Sequence, residues 1–162
     1  MQLLPNIEYI RAGIEDIKDV IDMRIAFLTD LFGRESDEAI AAFRINTEAF
    51  LRDALPSQLY ICWLAKDGET VVAAGGLTVR QHPGNFKNPS GRVGYIMSMY
   101  TLPAYRKMGI CSTILNHLVT TGKEIGLNSF ELHATKEGEP VYIKNGFKVH
   151  PDPTYRKIIE TN

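Results

Sequence analysis

A strand, a proline-containing turn and an amphipathic helix follow one another in residues 92–125, and this succession limits the folds open to the chain. The segment RVGYIMSMYT is typical of a strand, because larger apolar residues alternate in it with smaller ones. After Pro103, apolar residues at three- and four-residue steps predict a helix over residues 108–125, with Gly126 at its C-terminal cap. A strand that leads through such a helix to the next strand makes a parallel pair. The segment therefore predicts a mixed sheet with helices on its faces.

The rest of the chain completes this architecture. Alternation predicts a first strand in residues 6–13, and apolar steps of three and four predict two helices before Pro56, the second capped by Ser36. A hairpin is expected at residues 67–69, and the C-terminal segments NSFELHA, GEPVYIKN, GFKVH and TYRKIIE predict a strand, a short helix and two final strands. The predicted order is β-α-α-β-β-β-α-β-α-β-β, an α/β (α+β mixed sheet) class in one domain over residues 1–162.

Composition and charge exclude several classes of function. The formal net charge of −1, with both signs mixed along the chain, argues against nucleic-acid binding, which depends on clustered basic residues. Cys62 and Cys111 are far apart and make no metal-ligand spacing, so we expect a reducing, cytoplasmic setting and no metal. No apolar run approaches the roughly 18 residues of a transmembrane span, and we expect no membrane partner.

The first turn of the central helix has the composition of an anion site. Helix N-termini leave backbone N–H groups unpaired and carry the positive end of the helix dipole. Gly109 leaves room for a ligand there, Arg106 and Lys107 add positive charge, and Ser112 and Thr113 can offer hydroxyl groups. The same residues also fit an ordinary strand-to-helix turn, and the residues alone leave both interpretations open. The other common phosphate-binding motifs, GxxxxGK[ST] and GxGxxG, are absent from the sequence.

Two segments resemble one known family. YTLPAYRKMGICSTIL is similar to the acetyl-coenzyme A binding segment of the GCN5-related N-acetyltransferases (GNAT), whose pattern is Arg or Gln, two residues, Gly, one residue, then Gly or Ala; here these places hold Arg106, Gly109 and Cys111. VYIKNGFKVH resembles the family's later Tyr-x-x-x-Gly-Phe segment and begins its motif at Tyr142. Both segments stand in the family's order. The resemblance implies a GNAT-like acyl-CoA N-acyltransferase fold over nearly the whole chain, with acetyl-CoA as cosubstrate.

The resemblance also implies where the cofactor binds. In the family, the strand before the signature turn is bulged and splays from the next parallel strand, and the pantetheine arm lies in the gap. The pyrophosphate is then held by backbone N–H groups at the start of the helix, in agreement with the anion site inferred above. The implied cofactor-binding residues are Met99, Tyr100, Thr101, Arg106, Lys107, Met108, Gly109, Ile110, Cys111, Ser112 and Thr135.

Two positions depart from the family pattern. Cys111 stands where the family has Gly or Ala, and its small size explains the exchange more simply than a nucleophilic thiolate does. Thr135 stands where many relatives carry an Asn that contacts the cofactor, and its hydroxyl could keep one hydrogen bond.

The resemblance makes Tyr142 the general acid that protonates the departing thiolate; the alternative is an aromatic packing residue. The oxyanion would be met by a backbone N–H at Met99 or Tyr100. The general base stays open between Glu131, His133 and a chain of water molecules.

The expected acceptor is a primary amine of a small molecule or peptide, attacked directly in a ternary complex. An acidic set could attract a cationic amine and an apolar set could line its pocket: Glu35, Asp37 and Glu38 for the first, Tyr95, Met97 and Met99 for the second. Family members often form homodimers, and the final strands could provide such an interface. The alternatives are a non-catalytic acyl-CoA-binding sensor and a structural domain without a cofactor.

Overall fold

The computed structural model describes residues 5–160, and its elements follow the predicted order as far as the fourth helix. Two short 3-10 turns, at Ile14–Asp16 and Pro103–Tyr105, precede the first and third helices. The strands are β1 (Ile7–Arg11), β2 (Tyr60–Asp67), β3 (Thr70–Gln81), β4 (Arg92–Thr101) and β5 (Phe130–Leu132). The helices are α1 (Ile17–Phe32), α2 (Asp37–Ala54), α3 (Ile110–Glu124) and α4 (Glu139–Lys144).

The strands form one five-stranded sheet in the order β1-β2-β3-β4-β5. The first three junctions are antiparallel, and β4 pairs with β5 in parallel. The predicted crossover through α3 is therefore confirmed.

Helices cover both faces of the sheet and create two apolar clusters. On one face, α1 and α2 bury residues such as Val20, Ile21 and Leu51 against Leu64 of β2. On the other face, the apolar stripe of α3 is fully buried; it comprises Ile110, Ile114, Leu115 and Leu118. Burial of these stripes, rather than helix propensity, supplies most of the stability of such helices.

A bulge interrupts β4 at Ser98 and Met99. The register with β3 jumps there, since Met97 pairs with Gly76 whereas Tyr100 pairs with Ala74, which leaves two β4 residues opposite Gly75. Ser98 takes a left-handed backbone conformation with φ of +55°. A bulge of this kind bends its strand and redirects the side chains that follow.

The pairing of β4 with β5 is much shorter than β4 itself. It joins three residue pairs and ends at Ile96 and Leu132, whereas β4 continues to Thr101. The last five residues of β4, residues 97–101, therefore have β3 on one side and no strand on the other. The bulge and the end of pairing coincide, as the family resemblance predicts.

The two predicted final strands are wrong: residues 145–160 form no strand. Several of their apolar residues are exposed instead, with Val149, Ile158 and Ile159 each between 76% and 79% exposed. Residues 147–154 lie beside β5, whose outer edge is only three residues long, and Pro151 and Pro153 lack the N–H that a ladder requires. Alternation of apolar and polar residues is typical of a strand, but a strand also needs a neighbouring strand with which its backbone can pair.

In the described part of the chain, no helix has the length and apolar character that a membrane crossing requires. The prediction of one domain over residues 1–162 includes residues 1–4 and 161–162, which lie outside the described residues.

Gly75 provides the space that the bulge requires. A Cβ atom at this position would lie 2.5 Å from the Met99 sulfur and 2.6 Å from Cγ2 of Ile114. We expect Gly75→Ala to lower the free energy of unfolding by about 1–3 kcal/mol, because overpacking forces the surrounding side chains out of place. Urea denaturation measures the change, with Thr70→Ala at the exposed start of the same strand as the control. Unchanged stability in Gly75→Ala would contradict this packing.

Candidate active site

The N-terminus of α3 presents unpaired backbone donors. Gly109 caps the helix with φ of +79°, a conformation that favours glycine, and no side chain caps the first turn. Within residues 5–160, none of the N–H groups of residues 109–112 donates a hydrogen bond, and a Cβ at Gly109 would meet no atom within 4 Å. An open helix mouth of this kind suits a phosphate group. The residues present therefore fit the pyrophosphate of a coenzyme A molecule.

Two hydroxyl groups on the first turn of α3 are used differently. The Ser112 hydroxyl accepts a hydrogen bond from Nδ2 of Asn145 at 3.0 Å, which leaves its own proton available to a ligand and joins α4 to α3. Thr113 donates its hydroxyl to the Gly109 carbonyl at 3.2 Å, so this group is satisfied within the helix. Of the two predicted hydroxyl donors, Ser112 has the free proton.

The guanidinium of Arg106 is engaged at the end of β4. Its Nε donates to the Thr101 carbonyl at 3.0 Å and its Nη2 to the Asp30 carboxylate of α1 at 3.0 Å. It also lies 5.6 Å from the ring centre of Tyr100. The sequence predicted that the charge of Arg106 lies at the helix mouth, but the guanidinium pairs with Asp30 of α1, which is distant in sequence. Lys107 and Met108 are exposed in the turn itself, where Lys107 has a φ of +63°.

The residues at the end of β4 that are predicted to bind the pantetheine arm contact both apolar clusters. Met99 packs with the α3 cluster, whereas Tyr100 packs towards α1 with its ring centre 6.2 Å from that of Phe27. The Pro103–Tyr105 turn then connects Thr101 to the mouth of α3 within a few residues. The structure thus brings the predicted pantetheine and pyrophosphate segments side by side.

Tyr142 lies half-buried on α4, against the apolar cluster that also contains Met99. Its ring centre stands 6.1 Å from that of Phe147 in an edge contact. Burial raises the pKa of Tyr142 above its ordinary value, and the nearby Cys111 thiol raises it further. The phenol therefore keeps its proton at neutral and moderately alkaline pH, as a proton donor must.

Cys111 is a half-buried thiol on the first turn of α3. Burial raises its pKa above the ordinary value for cysteine. This direction is opposite to the one that a thiolate nucleophile needs. The environment favours the explanation by small size.

Thr135 begins the turn that leads into α4. Its Oγ1 accepts a hydrogen bond from the Gly138 N–H at 3.2 Å, and its carbonyl accepts one from the Glu139 N–H at 3.0 Å. Because the hydroxyl acts as an acceptor here, its proton stays free for a cofactor contact.

His133 lies just beyond β5, within a small network. Its Nδ1 is 2.7 Å from the Tyr95 hydroxyl and its Nε2 is 3.3 Å from Oγ1 of Thr154, while the Arg80 guanidinium covers the Tyr95 ring at 3.6 Å. Glu131 is exposed and pairs with Tyr95 in the sheet register. Both nitrogens of His133 therefore already have partners.

A cavity of about 390 Å³ lies between α1, α2 and the sheet, at the bulge. Phe43, Phe50, Tyr60 and Met97 supply much of its apolar wall, and Arg24 supplies its single charge. The other lining residues are Val20, Asn46, Thr47, Leu51 and Thr78. Sequence reasoning missed Arg24, although one signal was present: Arg24 continues the three- and four-residue steps of Ile17, Val20 and Ile21, so a charge stands on an apolar helix face.

The predicted acidic set lies elsewhere. Glu35, Asp37 and Glu38 are exposed, and Asp37 pairs with Arg34 at 2.9 Å. None of the three lines the cavity at the bulge, and neither does Tyr95, whereas Met97 does.

A larger cavity, of about 590 Å³, is bounded by β5, α4 and residues 147–154. Its lining contains no residue of β4 or α3, but it includes Tyr142 and all three residues of β5, which form the β5 side of the gap. Among residues 5–160, no group of three His, Cys, Asp or Glu side chains is arranged to hold a metal ion.

Comparison with known proteins agrees with this geometry. The model of the acetyltransferase (GNAT) family matches residues 19–147, which is more than half of the chain. No curated protein sequence matches. A predicted acetyltransferase from Clostridium acetobutylicum, solved with acetyl-CoA, is 29% identical with a TM-score of 0.83, and the match covers 93% of this chain and 96% of that one.

Two further solved structures are similar. A GCN5-related N-acetyltransferase from Ralstonia eutropha JMP134 is 25% identical with a TM-score of 0.79, covering 94% of this chain and 99% of that one. An aminoglycoside N-acetyltransferase in complex with CoA shares the fold, with a TM-score of 0.72, 14% identity and coverage of 97% and 98%. The chain belongs to the GNAT family and is an acetyltransferase whose cosubstrate is acetyl-CoA.

Proposed function

We propose that this acetyltransferase transfers the acetyl group directly to the primary amine of a small molecule bound in the cavity at the bulge, with Tyr142 as the proton donor. The observation that carries the proposal is the early end of β4–β5 pairing at Ile96 and Leu132. It leaves backbone groups of residues 97–101 free on the side of the gap, beside the open mouth of α3.

The chain's backbone provides most of the cofactor site in this proposal. Free backbone groups at Met99, and at Thr101 those that Arg106 does not engage, bond the pantetheine arm in place of a neighbouring strand. This satisfies polar groups that would otherwise lack partners. The N–H groups of residues 109–112 and the Ser112 hydroxyl receive the pyrophosphate. Arg106 holds the end of β4 against α1 and so maintains the width of the gap.

The cosubstrate supplies a thioester, and the residues around it manage charge and protons. A backbone N–H at Met99 or Tyr100 stabilises the oxyanion that forms when the amine attacks the carbonyl carbon. A C–N bond forms, the C–S bond breaks, and Tyr142 gives its proton to the departing thiolate. The bonded nitrogen releases its extra proton to solvent as the amide forms, and the Tyr142 phenolate recovers a proton from solvent.

The attacking amine must be neutral, and a free alkylamine has a pKa of about 10.4. Water in the open cavity takes this proton, because neither Glu131 nor His133 lines the cavity at the bulge and both nitrogens of His133 are engaged. An apolar wall favours the neutral amine, since desolvation disfavours the charged form.

The charge of the cavity lining restricts the class of acceptor that can bind there. Its lining contains Arg24 and no carboxylate. One structural neighbour is an aminoglycoside N-acetyltransferase, but a polycationic acceptor would meet a like charge here and no opposite one. A compact amine with apolar parts fits better.

Gly109 tests the pyrophosphate site. We expect Gly109→Val to weaken coenzyme A binding at least tenfold, because the side chain enters the mouth of α3 and a β-branched residue disfavours positive φ. Calorimetry measures the dissociation constant. Gly126→Val is the matched control, since Gly126 also has a positive φ, of +89°, but lies at the opposite end of α3. Equal affinities in the two variants would remove the helix mouth from the binding site.

Tyr142 tests the proton donor. We expect Tyr142→Phe to slow thiol release by roughly 10²- to 10⁴-fold, the usual contribution of a general acid, while coenzyme A affinity stays within threefold. Thiol release with a panel of primary amines, and calorimetry with coenzyme A, give the two quantities. Tyr155→Phe, at an exposed tyrosine, is the control. A rate equal to that of the parent protein would exclude Tyr142 from the reaction.

A further inference from the structure

Arg24 is a half-buried cation with a neutral partner. Its guanidinium donates to the Ser98 hydroxyl at the bulge and lies 6.0 Å from the ring centre of Phe43. Within residues 5–160, no carboxylate oxygen comes within ion-pairing distance of it. A guanidinium has five N–H donors in a planar fork, so most of them stay available.

The other half-buried arginines of residues 5–160, Arg44 and Arg92, bind a carboxylate and the negative end of a helix dipole respectively. Arg44 pairs with the Asp22 carboxylate at 2.7 Å, and Arg92 donates to the Ile125 carbonyl at 2.9 Å, capping the end of α3. Arg24 instead faces a cavity whose other walls are apolar or neutral. Placing an uncompensated charge in such surroundings costs free energy, which an anionic ligand would offset.

We propose that Arg24 receives the carboxylate of the acceptor, which is an amino acid with an apolar side chain. This inference rests on the proposed function, because it specifies the acceptor of the same site. The guanidinium fork matches a carboxylate in two parallel hydrogen bonds. Phe43, Phe50 and Met97 receive the apolar side chain, and the cavity volume of about 390 Å³ is in the range of small-molecule sites.

The position of Ser98 limits how far the amine and the carboxylate stand apart. Ser98 contacts Arg24, and the next residue, Met99, provides an N–H proposed for the oxyanion. The two residues are consecutive, with Cα atoms about 3.8 Å apart, so the carboxylate and the oxyanion would be bound at neighbouring positions of the bulge. This spacing fits an amine and a carboxylate on the same or adjacent carbon atoms.

The binding test compares acids with their amides on the coenzyme A-loaded protein. The probes are the N-acetyl derivatives of L-phenylalanine, L-leucine and L-methionine and the three corresponding carboxamides, titrated by calorimetry. We expect at least one acid to bind roughly 10- to 100-fold more tightly than its amide, the effect of a charge-assisted hydrogen-bond pair. If no acid binds better than its amide, the proposal is overturned.

Variants assign the preference to Arg24. Arg24→Gln should abolish the preference for the acid, Arg24→Lys should keep part of it, and Arg52→Gln, an exposed arginine of α2 paired with Glu48, should leave it unchanged. A role confined to bracing Ser98 would instead weaken acid and amide equally. Retention of the full preference in Arg24→Gln, or equal losses for both probes, contradicts the proposal.

An assay of thiol release with the free amino acids and their amides distinguishes failure of the Arg24 site from failure of the proposed function. If thiol is released as fast with the amides as with the free amino acids, the proposed function stands and the role of Arg24 is overturned. If no amine releases thiol but the Arg24-dependent acid preference in binding persists, direct transfer fails, whereas the carboxylate site stands.

Discussion

Backbone groups near the end of β4 need hydrogen-bond partners that β5 does not provide. Pairing ends at Ile96 and Leu132 because the bulge at Ser98 and Met99 turns β4 away, and β5 itself is only three residues long. Unpaired backbone groups at a strand edge readily accept another extended chain. The arm of coenzyme A is such a chain, and the proposed cofactor site follows from this one mismatch.

Helix α1 stabilises both sides of the bulge. Arg24 reaches Ser98 within the bulge, and Asp30, further along the same helix, holds Arg106 and through it the Thr101 carbonyl. On the opposite side, Asn145 joins α4 to Ser112 at the mouth of α3 and so fixes the helix that carries Tyr142. The proposed sites for the acetyl donor and the amine acceptor are thus held by the same contacts, in which α1 and α4 set the width of the gap.

Local patterns predicted most of this frame. The glycine at the mouth of α3, the hairpin and the parallel crossover follow from residues close together in sequence, and the structure has all three. Contacts between distant residues could not be predicted in this way, because nothing in the pattern around Arg106 indicates Asp30, and nothing around Ser98 indicates Arg24. The predicted final strands failed for a related reason, since alternation in residues 146–160 does not provide a neighbour.

Hydrogen–deuterium exchange with and without coenzyme A tests the central claim most directly, since it reads the backbone amides themselves. The account predicts slower exchange in peptides covering residues 97–101 and 109–112 when coenzyme A is bound, and no change in the buried strand β2 (Tyr60–Asp67). Unchanged exchange in residues 97–101, with protection confined to the cavity beside residues 147–154, would contradict it.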